Sequence, residues 1–301
     1  MSATPLYPSA PPLSRIALGS STFGREIQAE AAFSLMDRAL ARGVTLFDTA
    51  ATYTAGVSET IMGQWLASRR PKPASLMVAT KIYPPYTPDA IDTATAASAQ
   101  RLGVEVIDLL YLHKWDAAVE TPETLAALDN LVRSGRVRAL GASNFNAQQL
   151  GAALAAQTAH GLARFRVLQN NNNLAVRDVD SATVALARDH GLAIVTYSPI
   201  AAGFLTGKHR AGVVSGSRFD MAPGHQPIYF SPEPQRRLEA LESLSNLSGQ
   251  PMAQLALAWA MNRPGVSSVL IGGRGPQYVD QAFDALQIRD PDLLRALDSI
   301  P

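Results

Sequence analysis

Apolar positions along the chain follow two alternating rhythms. Short runs of aliphatic and β-branched residues recur eight times: RIALG (15–19), VTLFD (44–48), SLMVATK (75–81), VIDLLYLH (106–113), VRALGAS (137–143), FRVLQN (165–170), LAIVTYS (192–198) and SSVLIGG (267–273). Between most of them lie stretches with apolar residues every three or four positions that end in glycine, such as AAFSLMDRALARG (31–43), TPETLAALDNLVRSG (121–135) and DSATVALARDHG (180–191). The first pattern is that of strands buried on both faces, the second that of amphipathic helices. Strand and helix alternating in this way predict parallel βαβ units. Eight units in 301 residues fit one α/β domain, residues 1–301, folded as a (β/α)8 TIM barrel. The alternative is an open doubly wound sheet, but no strand is followed by GxGxxG.

Two stretches fall outside the rhythm. Residues 203–234, from GFLTGK to FSPEPQ, are rich in Gly, Pro and polar residues and form a long loop after the seventh strand. A loop of that length is expected to be a functional lid or a disordered segment. The opening MSATPLYPSAPP (1–12) reads as an exposed lead-in and lacks the basic start and apolar stretch of a secretory signal.

Composition narrows the picture by exclusion. A formal net charge of +1 suggests neither a nucleic acid nor an anionic membrane as partner. No apolar run approaches the roughly 18 residues of a membrane helix. There is no cysteine, which excludes disulfides and thiolate chemistry and suits a cytoplasmic location.

In a barrel of this kind the chemistry sits at the C-terminal strand ends. Read in order, those ends carry Asp48, Lys81, His113, Ser143-Asn144, Gln169-Asn170, Tyr197-Ser198 and Gly272-Gly273-Arg274. Tyr53 follows Asp48 in the small-residue loop FDTAATYTAGVSE. A phenol titrates near pH 10, too high for easy proton transfer, unless a neighbouring ammonium favours the phenolate. Asp48, Tyr53 and Lys81 supply a carboxylate, a phenol and an ammonium. Only four of the 26 basic residues are lysines, so one that closes an apolar strand stands out. Taken singly, Asp48 reads as a turn cap, Tyr53 as a half-buried ring and His113 as a structural histidine. Together they suggest a shared rim, where a neutral His113 donates to a substrate oxygen. His160, His190, His209 and His225 read as surface residues, and no metal-ligand spacing occurs.

The ordered set DTAxxY, VATK, YLH, GASNF, QN, YSPIAAGFLTGK and IGGR resembles the aldo-keto reductases from about residue 13 to about 285. The resemblance implies a single (β/α)8 barrel that reduces a carbonyl reversibly with NADPH, or with NADH. It implies a catalytic tetrad of Asp48, Tyr53, Lys81 and His113, with Tyr53 as general acid. It implies carboxamide contacts from Ser143, Asn144 and Gln169, and a ring stacked on the nicotinamide at Tyr197. Ser198, Pro199, Ile200, Gly203 and Leu205 would wrap the pyrophosphate. Gly272, Gly273 and Arg274, taken to open the last helix, would meet a phosphate, with Gln281 further along. Ser21 and Trp115 would face a substrate pocket of mixed polar and aromatic character. The sequence departs from the family at Ser21, where relatives often carry a bulky residue. It departs again in the late motif that follows Arg274, where Tyr278, Asp280, Gln281 and Ala282 replace the family's Gln and Glu-Asn pattern. NNNN at 170–173 is unusual and reads only as polar loop chemistry. Two other functions stay open: an NAD(P)-dependent alcohol or sugar dehydrogenase, and a non-catalytic cofactor-sensing regulator. Neither the substrate nor the oligomeric state is specified.

Overall fold

The computed structural model describes residues 5–69 and 72–301. Eight parallel strands close into one barrel in the order β1 to β8: Ile16–Gly19, Leu46–Asp48, Met77–Ile82, Ile107–Leu112, Val137–Ser143, Phe165–Asn171, Ala193–Tyr197 and Val266–Ile271. β1 pairs with both β2 and β8, so the sheet has no edge and the open doubly wound alternative is excluded.

Helices α1 (Ala29–Ala41), α2 (Val57–Ala67), α3 (Pro88–Leu102), α4 (Pro122–Arg133), α5 (Ala147–Ala159) and α6 (Ser181–His190) each follow a strand. Their ends carry local stop and start signals. Asp180 accepts a hydrogen bond from the Thr183 N–H at 2.7 Å, and Gly191 ends α6 in the left-handed region. Asn146 and Gln149 form a reciprocal capping box at the start of α5.

The strands alternate between two cores. Ala17, Leu46, Met77, Ala79, Leu109, Tyr111, Ala139, Val167, Val195 and Leu270 cluster inside the barrel, while outward residues pack against the helices. Inside, the Tyr111 ring fills the space beside Gly141: a Cβ there would come within 2.4 Å of it.

Three sequence expectations need correction. The lead-in is not uniformly exposed. Residues 1–4 lie outside the described residues, but Leu6 is buried against the inner barrel core, and Tyr7 donates to Asp108 at 3.2 Å. The span 203–234 is not a structureless loop. It holds a 3-10 turn at Ala201–Thr206, the short helices α7 (Arg218–Met221) and α8 (Gln226–Tyr229), and the start of α9 (Pro232–Ser248). Phe204, Phe219, Tyr229 and Phe230 pack as an aromatic cluster with centroids 5.1 to 6.1 Å apart. His209, expected at the surface, is 4% exposed and sets its ring edge-on to Phe219. Helices α10 (Met252–Asn262), α11 (Gln277–Ala285) and α12 (Pro291–Asp298) complete the chain. Among the described residues no helix is long and apolar enough to cross a membrane.

Candidate active site

The two-residue period of the strands explains where the polar residues go. One step beyond the inward-facing Leu46, Ala79, Tyr111, Gly141, Val167 and Val195 come Asp48, Lys81, His113, Ser143, Gln169 and Tyr197. The same alternation that fills the barrel therefore directs six polar side chains to its C-terminal mouth. Tyr53 arrives by another route, from a 3-10 turn after β2 whose Thr54 and Ala55 adopt positive φ.

Asp48 and Lys81 are each 1% exposed. The Lys81 ammonium donates to Asp48 Oδ1, to the Thr49 carbonyl at 2.8 Å and to the Tyr53 hydroxyl at 3.5 Å. Gln169 Nε2 donates to the other Asp48 oxygen at 2.9 Å. Burying an ion pair is costly, and such pairs persist where every partner is satisfied or a function is served. Burial pushes the Asp48 carboxyl up, and donors at both oxygens pull it back toward the ionised form. Burial alone would lower the Lys81 ammonium, but the Asp48 carboxylate outweighs it and holds lysine charged. Burial also raises the Tyr53 phenol, opposed by Lys81. Tyr53 therefore rests protonated, against a cation that stabilises its phenolate.

The His113 ring meets Tyr53 edge-on, with centroids 5.8 Å apart. Its Nδ1 lies 3.2 Å from the Thr52 hydroxyl. Burial, helped by the Lys81 charge, pushes the imidazole down to about 3, so it is neutral through the physiological range. Asn144, in the left-handed region at φ 60°, donates to the His113 carbonyl at 2.8 Å and to Ser143 Oγ at 3.2 Å. It accepts from the Tyr197 hydroxyl at 2.7 Å. Asp48, Tyr53, Lys81, His113, Ser143, Asn144, Gln169 and Tyr197 thus form one connected constellation.

The Asn run now has a physical account. Asn170 Oδ1 accepts from the Asn144 N–H at 2.9 Å and the Phe145 N–H at 3.3 Å, and its Nδ2 donates to the Phe145 carbonyl at 2.8 Å. Asn171 reaches the Tyr229 hydroxyl at 3.3 Å. Asn173 holds the Ala175 and Val176 N–H groups, both at 2.9 Å. These amides fix the turn after β5 and tie β6 to α8.

Ser198, at φ 57°, and Pro199 and Ile200 lead from β7 into the turn that buries Gly203 and Leu205. Gly203 has φ 94°, and a Cβ there would lie 3.0 Å from Lys208 Nζ. Lys208, which closes the YSPIAAGFLTGK stretch, places an ammonium against this backbone. Burial and the Arg274 charge hold that ammonium below the ordinary lysine value. Arg274 Nη2 donates to the Gly216 carbonyl at 2.5 Å.

Gly272, Gly273 and Arg274 do not open the last helix. They form a loop before α11, which starts only at Gln277 because Gly275 and Pro276 intervene, and α12 follows it. The Tyr278 side chain crowds Gly273, where a Cβ would come within 2.5 Å of it. Gln281 stands apart on the exposed side of α11, where its carbonyl accepts from Gln254 at 3.1 Å.

Ser21 is half-buried, and its carbonyl accepts from Arg25 at 2.8 Å and Arg218 at 3.4 Å. Trp115 is half-buried against the helix-facing core, with a buried indole N–H that has no partner among the described residues. Arg25 and Thr52 carry no signal in the sequence: an arginine in a loop and a threonine beside a tyrosine have no distinctive spacing. No group of His, Asp and Glu capable of holding a metal occurs among the described residues.

Comparison with known proteins shows the family. A model of the Aldo/keto reductase family matches residues 15–299. The chain is 30% identical to the "Uncharacterized oxidoreductase YrpG" of Bacillus subtilis, over 96% of this chain and 92% of that protein. It is 30% identical to a "Probable voltage-gated potassium channel subunit beta" of Arabidopsis thaliana, over 93% and 90%. It is 29% identical to "Norsolorinic acid reductase B" of Aspergillus parasiticus, over 92% and 77%. With the family matched over nearly its whole length and the barrel closed as described, this chain belongs to the aldo/keto reductase family.

Proposed function

We propose that this protein reduces an aldehyde or ketone to the alcohol, with NADPH as hydride donor and Tyr53 as general acid. The observation that carries the reading is the contact of Lys81 with both Asp48 and Tyr53 at the barrel mouth. The residues present suit a dinucleotide. Gly203, having no Cβ, lets the Lys208 ammonium lie against its backbone, and Arg274 is near enough to act as a second cation for phosphate oxygens. Ser143, Asn144 and Gln169 would hold the carboxamide, and Tyr197 would lie against the nicotinamide ring. Ser198, Pro199, Ile200, Leu205, Gly272 and Gly273 would line the pyrophosphate path, with Gln281 at its far end. When bound, the reduced nicotinamide supplies the hydride.

The chain's own residues do the rest. His113, neutral and with Nδ1 turned to Thr52, offers Nε2–H to the carbonyl oxygen. Tyr53 offers its hydroxyl to the same oxygen, and the two donors stabilise charge that develops there. Tyr53 then gives up its proton, while Lys81 steadies the phenolate and Asp48 and Gln169 keep Lys81 in place. Ser21 and Trp115 would border the substrate. The small-molecule carbonyl is the partner this site calls for, and cytoplasmic action accords with a chain that has no cysteine.

The same site runs the reverse oxidation when cofactor ratios favour it. The regulator reading draws on the relatives named as channel subunits. Single-turnover stopped flow with NADPH or NADH and a panel of aldehydes, ketones and sugars separates these readings. Oxidation of bound NADPH by at least one carbonyl is expected. Tight cofactor binding with no oxidation by any of them would favour the regulator instead.

A further inference from the structure

A second site lies at the end of the barrel opposite Tyr53. A cavity of about 430 Å³ opens between the N-terminal ends of β5 and β6, lined by Leu6, Tyr7, Val132, Arg138, Arg164 and Arg166 among others. A break in the strand register helps to shape it. Leu140 pairs with Phe165, but Gly141 pairs with Val167, so Arg166 is an extra residue in β6. Phe165 accordingly joins the helix-facing core while Val167 joins the barrel interior, although two residues apart they would otherwise share a face. Bulges of this kind re-aim a side chain at a barrel rim.

The three guanidinium groups are poorly balanced by carboxylates. Arg138 lies 3.3 Å from Asp108, which already accepts from Lys72, from the Val78 N–H at 2.9 Å and from Tyr7. Arg164 donates to His190 Nδ1 at 2.7 Å, and its Nε is buried with no partner among the described residues. Arg166 has no ion pair or side-chain hydrogen bond among the described residues. Asp129, the nearby carboxylate, is turned away to the Ala163 N–H at 2.8 Å and to Arg133 at 2.5 Å. Guanidinium forks match the oxygens of a phosphate, and an unpaired buried donor is satisfied when an oxyanion enters. Leu6 and Val132 add an apolar wall beside the charge.

We propose that this cavity binds a small phosphomonoester, with its dianion between Arg138, Arg164 and Arg166 and its apolar body against Leu6 and Val132. The site is separate from the hydride-transfer site and does not depend on how that site works. Phenyl phosphate is the probe, titrated calorimetrically into the full chain with NADP⁺ present in excess. One saturable site is expected, with a Kd that rises about tenfold or more in Arg164→Gln and in Arg166→Gln, the loss of a charge-assisted contact. Arg274→Gln should leave that Kd unchanged, and benzoate should bind at least about tenfold more weakly than the dianion. Circular dichroism of the unliganded variants checks folding, and Arg138→Gln supplies an independent arm should one of them fail to fold. No saturation at millimolar probe, unchanged affinity in Arg164→Gln, Arg166→Gln and Arg138→Gln, a loss confined to Arg274→Gln, or benzoate binding as tightly as phenyl phosphate would each overturn the proposal.

Discussion

Gln169 Nε2 lies 2.9 Å from Asp48 Oδ2, on the opposite side of the carboxylate from Lys81. The family resemblance assigns Gln169 to the cofactor carboxamide, yet its amide also donates to the buried acid. It supports the ionised form of Asp48 at one oxygen, as Lys81 does at the other. On the proposed reading, one residue would link the cofactor floor to the proton-transfer chain.

Gln169→Met removes that donor while keeping length and bulk. Asp48 then protonates more readily, and Lys81 loses its anion at a higher pH. The acid limb of the kcat/KM profile should shift upward by about half to one unit. An unshifted limb, with cofactor binding weakened alone, would show that Gln169 serves only the carboxamide.

His113 makes stability depend on pH. Its folded value of about 3 lies below the ordinary 6.5 of the unfolded chain. The unfolded chain therefore takes up a proton that the folded chain refuses as pH falls from 6.5 toward 3. The contribution is complete above pH 6.5 and is lost progressively below it. Between pH 7 and pH 5, wild type should lose about 1–2 kcal/mol more than His113→Gln, as read from urea unfolding at each pH. Parallel curves for the two proteins would mean that His113 titrates normally.

Arg218 ties α7 to the rim by a 3.0 Å bond to Glu26 Oε1 and a 3.4 Å contact to the Ser21 carbonyl. In Arg218→Ala the segment 203–231 should open more often. Limited proteolysis in 207–217 should quicken, and NADPH should dissociate severalfold faster. Unchanged cleavage and release would leave Arg218 a surface ion pair only.

On the proposed reading, Arg274 bears on cofactor choice. A 2′-phosphate distinguishes NADPH from NADH, and charge-assisted contacts are roughly twice as strong as neutral ones. Arg274→Ala should weaken NADPH about tenfold more than NADH in fluorescence titrations. Some loss is expected for both, because Arg274 also holds the Gly216 carbonyl. Equal losses would remove Arg274 from the 2′-phosphate site.

The barrel was legible because eight near-continuous apolar runs alternate with stretches of three- and four-residue apolar spacing. The two-residue period of the strands then sets Asp48, Lys81, His113, Gln169 and Tyr197 at the mouth. Other features depend on partners far away in the chain. Leu6 is a single apolar residue among prolines and carries no periodicity, so its burial depends on the barrel end that covers it. The helices α7 and α8 have four residues each, too few to show a helical repeat. The extra residue at Arg166 exists only relative to the pairing of β5 with β6. The Asn170 and Asn173 amides act on backbone N–H groups whose exposure depends on the turn that they stabilise.

The central claim is that Tyr53 gives the proton. Tyr53→Phe keeps the ring that meets His113 and removes only the hydroxyl that faces Lys81. The measurement is the single-turnover rate of NADPH oxidation by a carbonyl substrate, with cofactor affinity determined on the same samples. The account predicts unchanged cofactor affinity and a rate lower by about 10²–10⁴-fold. A variant that binds NADPH and reduces the carbonyl at the wild-type rate would contradict it.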